Sequence, residues 1–535
     1  MNQLIAPYGG HLVNLIVSSE RAAELRREAF SLPSLDLDWQ QGCELEMLMS
    51  GAYSPLAAYM TQRECERVEA EQTLADGTFW PHPVKLVGKP GFQSGERVAL
   101  RDLEGYMLAI LTITDVWQSS SAQTCYGGSV EGVELPPHPD FAELRATPAA
   151  LRAQFARRGW SRVIAWQARL PLQRAQFEFC LKSAIDNESN LLLHPQAGGD
   201  LVESPAYFGL VRSFIAVRPR FPSASTQLAL LPSLQQPPGV TDVLLRAIVA
   251  RNYGCSALIV GGAFDPMGDA NRGVSLVEAA NVLNAGIGVQ LIAYPRMLYV
   301  EDRAQYLPES DVAADARTLT LSSEEFRRRM QLGIAIPDWY GFPEVIAEMQ
   351  RNSPPRAEQG FTVFFTGLSG AGKSTIARAL AARLMEMGGR AVTLLDGDIV
   401  RRNLSSELGF NKAHRDVNVR RIGFVASEIT KNRGIAICAP IAPYQQTRRD
   451  VRALIEAVGG FVEIFVATPI ETCEARDRKG LYAKARAGLI PEFTGVSDPY
   501  EVPQQPELVV DTTGMGIDDA VQQVLLKLEH EGYLR

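Results

Sequence analysis

Residues Phe361 to Thr375, FTVFFTGLSGAGKST, leave little choice of fold around them. The apolar, β-branched and aromatic run Phe361 to Phe365 reads as a buried parallel strand. Gly367 to Ser374 fits G-x-x-x-x-G-K-[ST]. Ile376 to Met387 then carries apolar residues at 376, 380, 384 and 387, the spacing of a helix. Strand, glycine loop and helix in that order are the context a phosphate-binding loop requires. Gly367, Leu368, Ser369, Gly370, Ala371 and Gly372 are expected to turn backbone N–H groups around phosphate oxygens. The helix start at Lys373, Ser374 and Thr375 adds partial positive charge. Lys373 is expected to reach the β- and γ-phosphates, and Ser374 to hold Mg²⁺ through its hydroxyl. A glycine-rich turn that binds nothing is the bland alternative, and the flanking strand and helix argue against it.

At 535 residues the chain is too long for one ordinary domain and suggests roughly three. The net charge of −8 argues against a dedicated nucleic-acid binder. No apolar run reaches the ~18 residues of a membrane span, so no membrane partner is expected. The opening MNQLIAPYGG lacks the basic start and long apolar core of a signal peptide. Seven cysteines, at 43, 65, 125, 180, 255, 438 and 473, are scattered and show no CxxC spacing. A reduced cytoplasmic protein without a disulfide framework or zinc site is the simplest account.

Along the chain, residues 1–150 carry short apolar runs broken by Gly, Pro and Asp, which predicts a mostly β domain. From 151 helical segments (Leu151 to Arg158, Phe177 to Asp186, Val240 to Ala250) alternate with short apolar runs (Val163 to Trp166, Ala257 to Val260, Val289 to Ile292). That alternation predicts a Rossmann-like α/β domain with a parallel sheet over 151–350, with Ser322 to Met349 as a small helical appendix. A polar linker is expected at 351–360, and a P-loop domain with a parallel sheet over 361–535. The fold class is therefore multidomain α/β.

In the last domain, Ala391 to Leu395 reads as a second buried strand ending in Asp396-Gly-Asp398. Two carboxylates at a strand's carboxyl end face the ligand edge of an α/β sheet. One is suited to organising Mg²⁺, the other to orienting or deprotonating an acceptor hydroxyl. Arg401, Arg402, Arg415, Arg420 and Arg421 follow, the last two on a helix expected to start near Asp416. Arginine suits a bidentate grip on phosphate or sulfate. The basic, glycine-punctuated stretch Arg476 to Gly488, then Phe493-Thr-Gly495, reads as a lid that excludes water.

The set GLSGAGKST, LLDGD-x-VR, LGF-x-x-x-x-R, N-x-RRIG, RD-x-KGLY-x-KARAG, FTG and YE-x-P resembles adenylylsulfate kinase over essentially all of 361–535. The resemblance implies transfer of the ATP γ-phosphoryl to the 3′-hydroxyl of adenylylsulfate, with Mg²⁺, giving 3′-phosphoadenylylsulfate and ADP. It implies that Arg401, Arg415, Asn418 and Arg421 hold the phosphosulfate end, with Ile441 in the same site. Phe410 and Phe493 would sandwich the adenine. Lys479 and Leu481 would line the site, Asp398 would be base or metal organiser beside Asp396, and Arg476 would lie near the ATP adenine. Three positions depart from the family. Ile399 follows DGD where asparagine is frequent. The run Ile441-Ala442-Pro443-Tyr444-Gln445 replaces ISPxR, so Ala442 offers no hydroxyl for a phosphoryl intermediate and an arginine is missing at 445.

Pro7-Tyr-Gly-Gly10, Cys43 to Leu48, Gly51 to Leu56, Arg251 to Cys255 and Ile336 to Tyr340 are similar to ATP sulfurylase, the enzyme that makes adenylylsulfate. The family's Q-x-R-N-P-x-H-R-x-H is changed here: Gln167 and Arg169 persist, but Leu170 replaces asparagine and Gln173 and Gln176 replace both histidines. G-R-D-H-A-G aligns with Gly261 to Pro266, without its arginine, aspartate and histidine, and M-R-Y-A-G-P-R-E-A with Gln235 to Val243, without its two arginines. Glutamine donates a hydrogen bond but never carries charge. At roughly 2.7–4 kcal/mol per lost oxyanion donor, little sulfurylase turnover is expected. The leading expectation is an adenylylsulfate kinase with a silent sulfurylase-like region acting as scaffold or regulator, in a homo-oligomer. An active bifunctional enzyme is one alternative. An N-terminal nucleotide- or anion-sensing module is another, and a P-loop kinase with a different acceptor is the last.

Overall fold

The computed structural model describes residues 3–197, 205–232, 237, 239–261, 270–283, 286–409, 411–477 and 479–534. The Asp398 side chain lies outside what is described. The chain divides into two compact units, residues 1–326 with 336–352, and residues 327–335 with 353–535.

The first unit opens with a six-stranded sheet built around the long antiparallel pair Met107–Gln118 and Thr124–Gly132. Three helices, Ser19–Glu28, Trp39–Met49 and Gln62–Glu71, accompany this sheet. Each begins at a side chain that accepts a backbone N–H, from Ser18, Asp38 and Thr61, which is what ends the extended backbone before it. A parallel sheet follows, with strands in the order Thr226–Leu228, Asn190–Leu193, Val163–Trp166, Ala257–Val260, Gln290–Ala293. The first strand in sequence lies at the centre and the order reverses beside it, as in a Rossmann-like fold. One apolar core runs from Tyr8 to Leu291 through both sheets. Asn252 fastens them. It accepts the Tyr8 N–H at 2.8 Å and donates to the carbonyls of Ala52 and Ser54, each at 2.9 Å. Three of the sulfurylase-like motifs therefore meet at one buried amide.

The second unit is a five-stranded, wholly parallel sheet in the order Val392–Asp396, Ile435–Ala439, Phe361–Thr366, Gly460–Val466, Leu508–Val510. Helices cover both faces, so its strands are apolar on both sides. Phe361, Val363 and Phe365 join one core with Leu380 and Val524, while Phe364 points to the other with Ile422 and Ile455. The helix expected near Asp416 spans Lys412–Lys431 instead. Asn411 accepts the His414 N–H at 2.8 Å and sets that earlier start. Among the described residues no helix is long and apolar enough to cross a membrane.

Gly360 leads into the central strand of this sheet. A methyl group there would stand 2.0 Å from the Thr430 carbonyl oxygen and 2.8 Å from that of Gly434. Both obstacles are backbone, so Gly360→Ala is expected to destabilise the second unit by about 1–3 kcal/mol. All six tryptophans lie in the first unit, which separates the two readouts. In urea, part of the far-UV circular dichroism should be lost at lower concentration in the variant while the tryptophan fluorescence midpoint stays in place. Coincident curves for variant and parent would contradict this packing.

Candidate functional site

The phosphate loop follows the central strand Phe361–Thr366, at the point where the strand order reverses. Gly367 takes φ +146, and a Cβ there would lie 2.5 Å from the Val466 carbonyl oxygen. Gly372 takes φ +102 and starts the helix Lys373–Met387, whose first N–H groups face the loop. Lys373 is buried, at 6 % exposure. Its Nζ donates to the carbonyls of Gly367 at 2.8 Å and Leu368 at 2.7 Å. Burial disfavours its charge and lowers the pKa to about 8.

One turn on, Ser374 Oγ donates to Asp396 Oδ1 at 3.2 Å. Asp396 ends the strand Val392–Asp396 and is buried. Its other oxygen accepts from Arg378 Nη2 at 2.9 Å. Arg378 stands four residues after Ser374, on the same helix face, and sequence reading did not single it out. Asp398 follows in the helix Gly397–Asn403.

These groups open onto one cavity of about 770 Å³. Its walls bring together Ser369, Gly370, Gly372, Lys373, Ser374, Thr375, Asp396, Arg401, Arg415, Asn418, Ile441, Arg476, Lys479 and Leu481 from the expected set. Arg415 and Asn418 are three residues apart on the helix Lys412–Lys431 and share a face. Both are buried, and Arg415 Nε and Asn418 Oδ1 have no hydrogen-bond partner. Buried polar atoms left in this state are costly unless a ligand completes them. Arg476 donates to the Thr512 hydroxyl at 2.7 Å and to its carbonyl at 2.8 Å, and so fixes one end of the cavity. In the stretch expected to be a lid, Tyr482 donates to the Ser369 carbonyl at 2.9 Å, and Asp477 accepts the N–H groups of Leu481 and Ala483.

Other expected residues stand elsewhere. Arg421 donates to the Leu404 carbonyl and to Glu407, both at 2.6 Å, and is not part of the cavity wall. The Phe493 ring meets Tyr482 edge-on at 5.1 Å and is not part of the wall either. Phe410 lies outside the described residues. Leu368 faces a neighbouring cavity of about 660 Å³ with Asp498 and Tyr500. Gly367 and Ala371 shape the loop from behind. Ala442 is buried, and its carbonyl accepts from Arg448 at 2.7 Å and from the Thr366 hydroxyl at 3.2 Å. That places residue 442 in the wall as a structural element.

In the first unit, Gln167 is fully buried and its amide oxygen and nitrogen have no partner. Arg169 Nε donates to Gln196 Oε1 at 2.7 Å, and burial lowers its pKa. Gln173 and Gln176 are used locally. The Gln173 N–H donates to Gln176 Oε1 at 2.6 Å at the start of the helix Arg174–Asp186, and Gln173 Nε2 donates to the Tyr340 hydroxyl at 3.2 Å. This is the reach-back geometry of a helix cap. Of the other two altered motifs, residues 262–266 and 235, 236 and 238 lie outside the described residues.

Comparison with known proteins finds three family models along the chain. A family model described as adenylylsulphate kinase matches residues 359–511, one described as ATP-sulfurylase matches 142–352, and a PUA-like domain matches 5–150. Sulfate adenylyltransferase from Phaeosphaeria nodorum is 39% identical over 99% of both chains. The enzyme of the same name from Emericella nidulans is 39% identical over 98% of this chain and 99% of its own. The hexameric APS kinase from Thiobacillus denitrificans is 65% identical, covers 100% of each chain and superposes with a TM-score of 0.88. Similarity along the whole length, with both catalytic modules in this order, means that the chain belongs to the family joining an ATP sulfurylase to an adenylylsulfate kinase.

Proposed function

We propose that this chain is an adenylylsulfate kinase, and that its sulfurylase-like region has no turnover of its own. The observation that carries the kinase reading is one cavity with a phosphate loop at one end and the buried, incompletely bonded Arg415 and Asn418 in its wall. ATP would lie along the loop with its adenine towards Arg476. Adenylylsulfate would place its anionic end on Arg401, Arg415 and Asn418, beside Ile441, Lys479 and Leu481. Lys373 leaves the Gly367 and Leu368 carbonyls to meet the β- and γ-phosphates, and the helix N-terminus holds the same charge. The hard oxygens of Ser374 and Asp396 fit Mg²⁺, which is normally bound by one or two carboxylates and substrate phosphates. Mg²⁺ would neutralise charge on the transferred phosphoryl group. The 3′-oxygen attacks the γ-phosphorus, the bond to the bridging oxygen breaks, and Asp398 takes the hydroxyl proton. Ala442 has no hydroxyl, so transfer is direct. Closure of the 476–488 segment excludes water.

The full-length relative at 65% identity is titled as a kinase alone and as a hexamer, which supports a kinase reading and a homo-oligomer here. The cap formed by Gln173 and Gln176 supports a silent sulfurylase-like region, because two positions expected to stabilise charge serve a helix start instead. Seven buried cysteines, scattered along the sequence, support a reducing, cytoplasmic setting. A second reading has a specific basis. Full-length relatives are named sulfate adenylyltransferase, and Gln167 and Arg169 persist. On that reading the chain makes adenylylsulfate as well as phosphorylating it.

The kinase reading is tested by ADP release from ATP and Mg²⁺ with and without adenylylsulfate. Release should depend on adenylylsulfate, and Lys373→Ala should lower kcat by about 10²–10³-fold. ADP release indifferent to adenylylsulfate would sink the reading. A pH signature follows from Lys373 as well. Its pKa is about 8 because burial opposes the charge, whereas a triphosphate would favour the charge. Binding therefore takes up a proton, about half a proton per ATP at pH 8 by linkage. Affinity should fall as pH rises above about 8, approaching tenfold per unit. For stability the sign is opposite. The unfolded lysine holds its proton up to about pH 10.5, so unfolding free energy gained from this group rises between about pH 8 and pH 10.5. Calorimetry in buffers of different ionisation enthalpy measures the uptake. No uptake in the parent, or equal uptake in Lys373→Met, would contradict the assignment.

A further inference from the structure

The strongest unassigned feature stands behind Arg415. This guanidinium lies in the wall of the 770 Å³ cavity at 8 % exposure, and its environment is built from three separate segments. Nη1 donates to the Thr494 hydroxyl at 2.6 Å. Nη2 is 3.0 Å from Asp498 Oδ2 in an ion pair that is largely buried on both sides. The same carboxylate oxygen accepts the Tyr444 hydroxyl at 2.7 Å, and the Tyr444 ring lies 5.5 Å from the guanidinium carbon. Tyr444 begins the helix Gln445–Glu456, and in its first turn Thr447 donates to Asp416 at 2.6 Å, next to Arg415. Asp498 is itself held in a tight turn, where its N–H donates to the Phe493 carbonyl at 3.1 Å and its carbonyl accepts the Gly495 N–H at 2.7 Å.

Asp498 does not line the cavity that holds the phosphate loop. It lines the neighbouring one, with Leu368 and Tyr500. The Arg415–Asp498 pair thus forms part of the partition between the two spaces, with the arginine on one side and the carboxylate on the other. The carboxylate and the threonine occupy the rear of the guanidinium. They leave Nε buried and unpartnered, in a wall that also holds the unpartnered Asn418 Oδ1. An arginine on a flexible stem loses side-chain entropy when it grips an anion, and a fixed partner behind it removes that cost in advance.

We infer that Asp498, backed by Tyr444, is a positioning residue that presets Arg415 for the anionic end of adenylylsulfate and sets the affinity for that substrate without acting on ATP. The inference rests on the kinase reading above. Because Asp498 does not line the cavity that holds Lys373 and Asp396, its removal should separate the two substrates. Losing a buried ion-pair partner of this kind is expected to raise KM for adenylylsulfate about tenfold or more in Asp498→Ala. KM for ATP should stay within about twofold, since binding free energy is lost at one subsite alone. Asp498→Asn keeps an acceptor for Arg415 and Tyr444 and should recover most of that loss. Tyr444→Phe removes one bond to the carboxylate and should fall between parent and Asp498→Ala.

The experiment measures kcat and both KM values, with thermal unfolding of each full-length variant. A selective rise in KM for adenylylsulfate, with rescue by Asn, supports the inference. An unchanged KM in Asp498→Ala overturns it. So does a parallel rise in both KM values, which would mark a merely structural role, and so does a midpoint drop in Asp498→Asn as large as in Asp498→Ala with no recovery of KM. Absence of adenylylsulfate-dependent ADP in the parent enzyme would instead refute the kinase reading on which the inference stands.

Discussion

A lysine ammonium buried against two carbonyls of its own loop sets the terms for the second unit. Lys373 is buried at the foot of a helix whose free N–H groups already concentrate positive charge, and the Gly367 and Leu368 oxygens and the nearby Asp396 carboxylate only partly offset the cost of a further cation there. The loop needs its glycines to turn those oxygens and N–H groups inward, and Val466 packs too closely behind Gly367 to admit a side chain. The strand order places the loop at the reversal point of the sheet, where neighbouring strand ends part. A bound polyphosphate relieves this strain in charge. Fold, loop geometry and the depressed lysine pKa are therefore expressions of one electrostatic need.

The remaining walls of the cavity answer a second need, for groups that grip an anion without collapsing onto one another. Arg378 and Ser374 meet on Asp396, so that carboxylate is shared between them. Arg415 is tied at the rear by Asp498 and Thr494, which leaves its front for a ligand. In the second case an acidic residue one layer back stands behind a basic one.

Much of this was legible in the sequence, for physical reasons that also mark where legibility stops. The phosphate loop, its strand and its helix are local, and local chemistry fixes them. The parallel strands at 163–166, 257–260 and 290–293 follow from short apolar runs between helical segments. Arg415 and Asn418 share a face because they are three residues apart on one helix. The start of that helix was read late because Asn411 caps it four residues earlier than the arginine pattern suggested. The Asp498–Arg415 pair joins residues distant in sequence, and no periodicity announces it. Arg421 illustrates the converse. Its position in a basic run suggested anion binding, yet it pairs with Glu407 outside the cavity wall.

The first unit poses the sharper question, because its fold and its chemistry point in different directions. Asn252 still joins the motifs that define the fold. Gln167 and Arg169 remain, while Gln173 and Gln176 have become part of a helix start. The most direct test supplies one full-length preparation, shown to release ADP from ATP and adenylylsulfate, with adenylylsulfate and pyrophosphate instead. The account predicts no formation of ATP above the blank. Sustained pyrophosphate-dependent ATP formation would show that the first unit has kept a working sulfurylase centre, and that turnover is not confined to the cavity around Lys373.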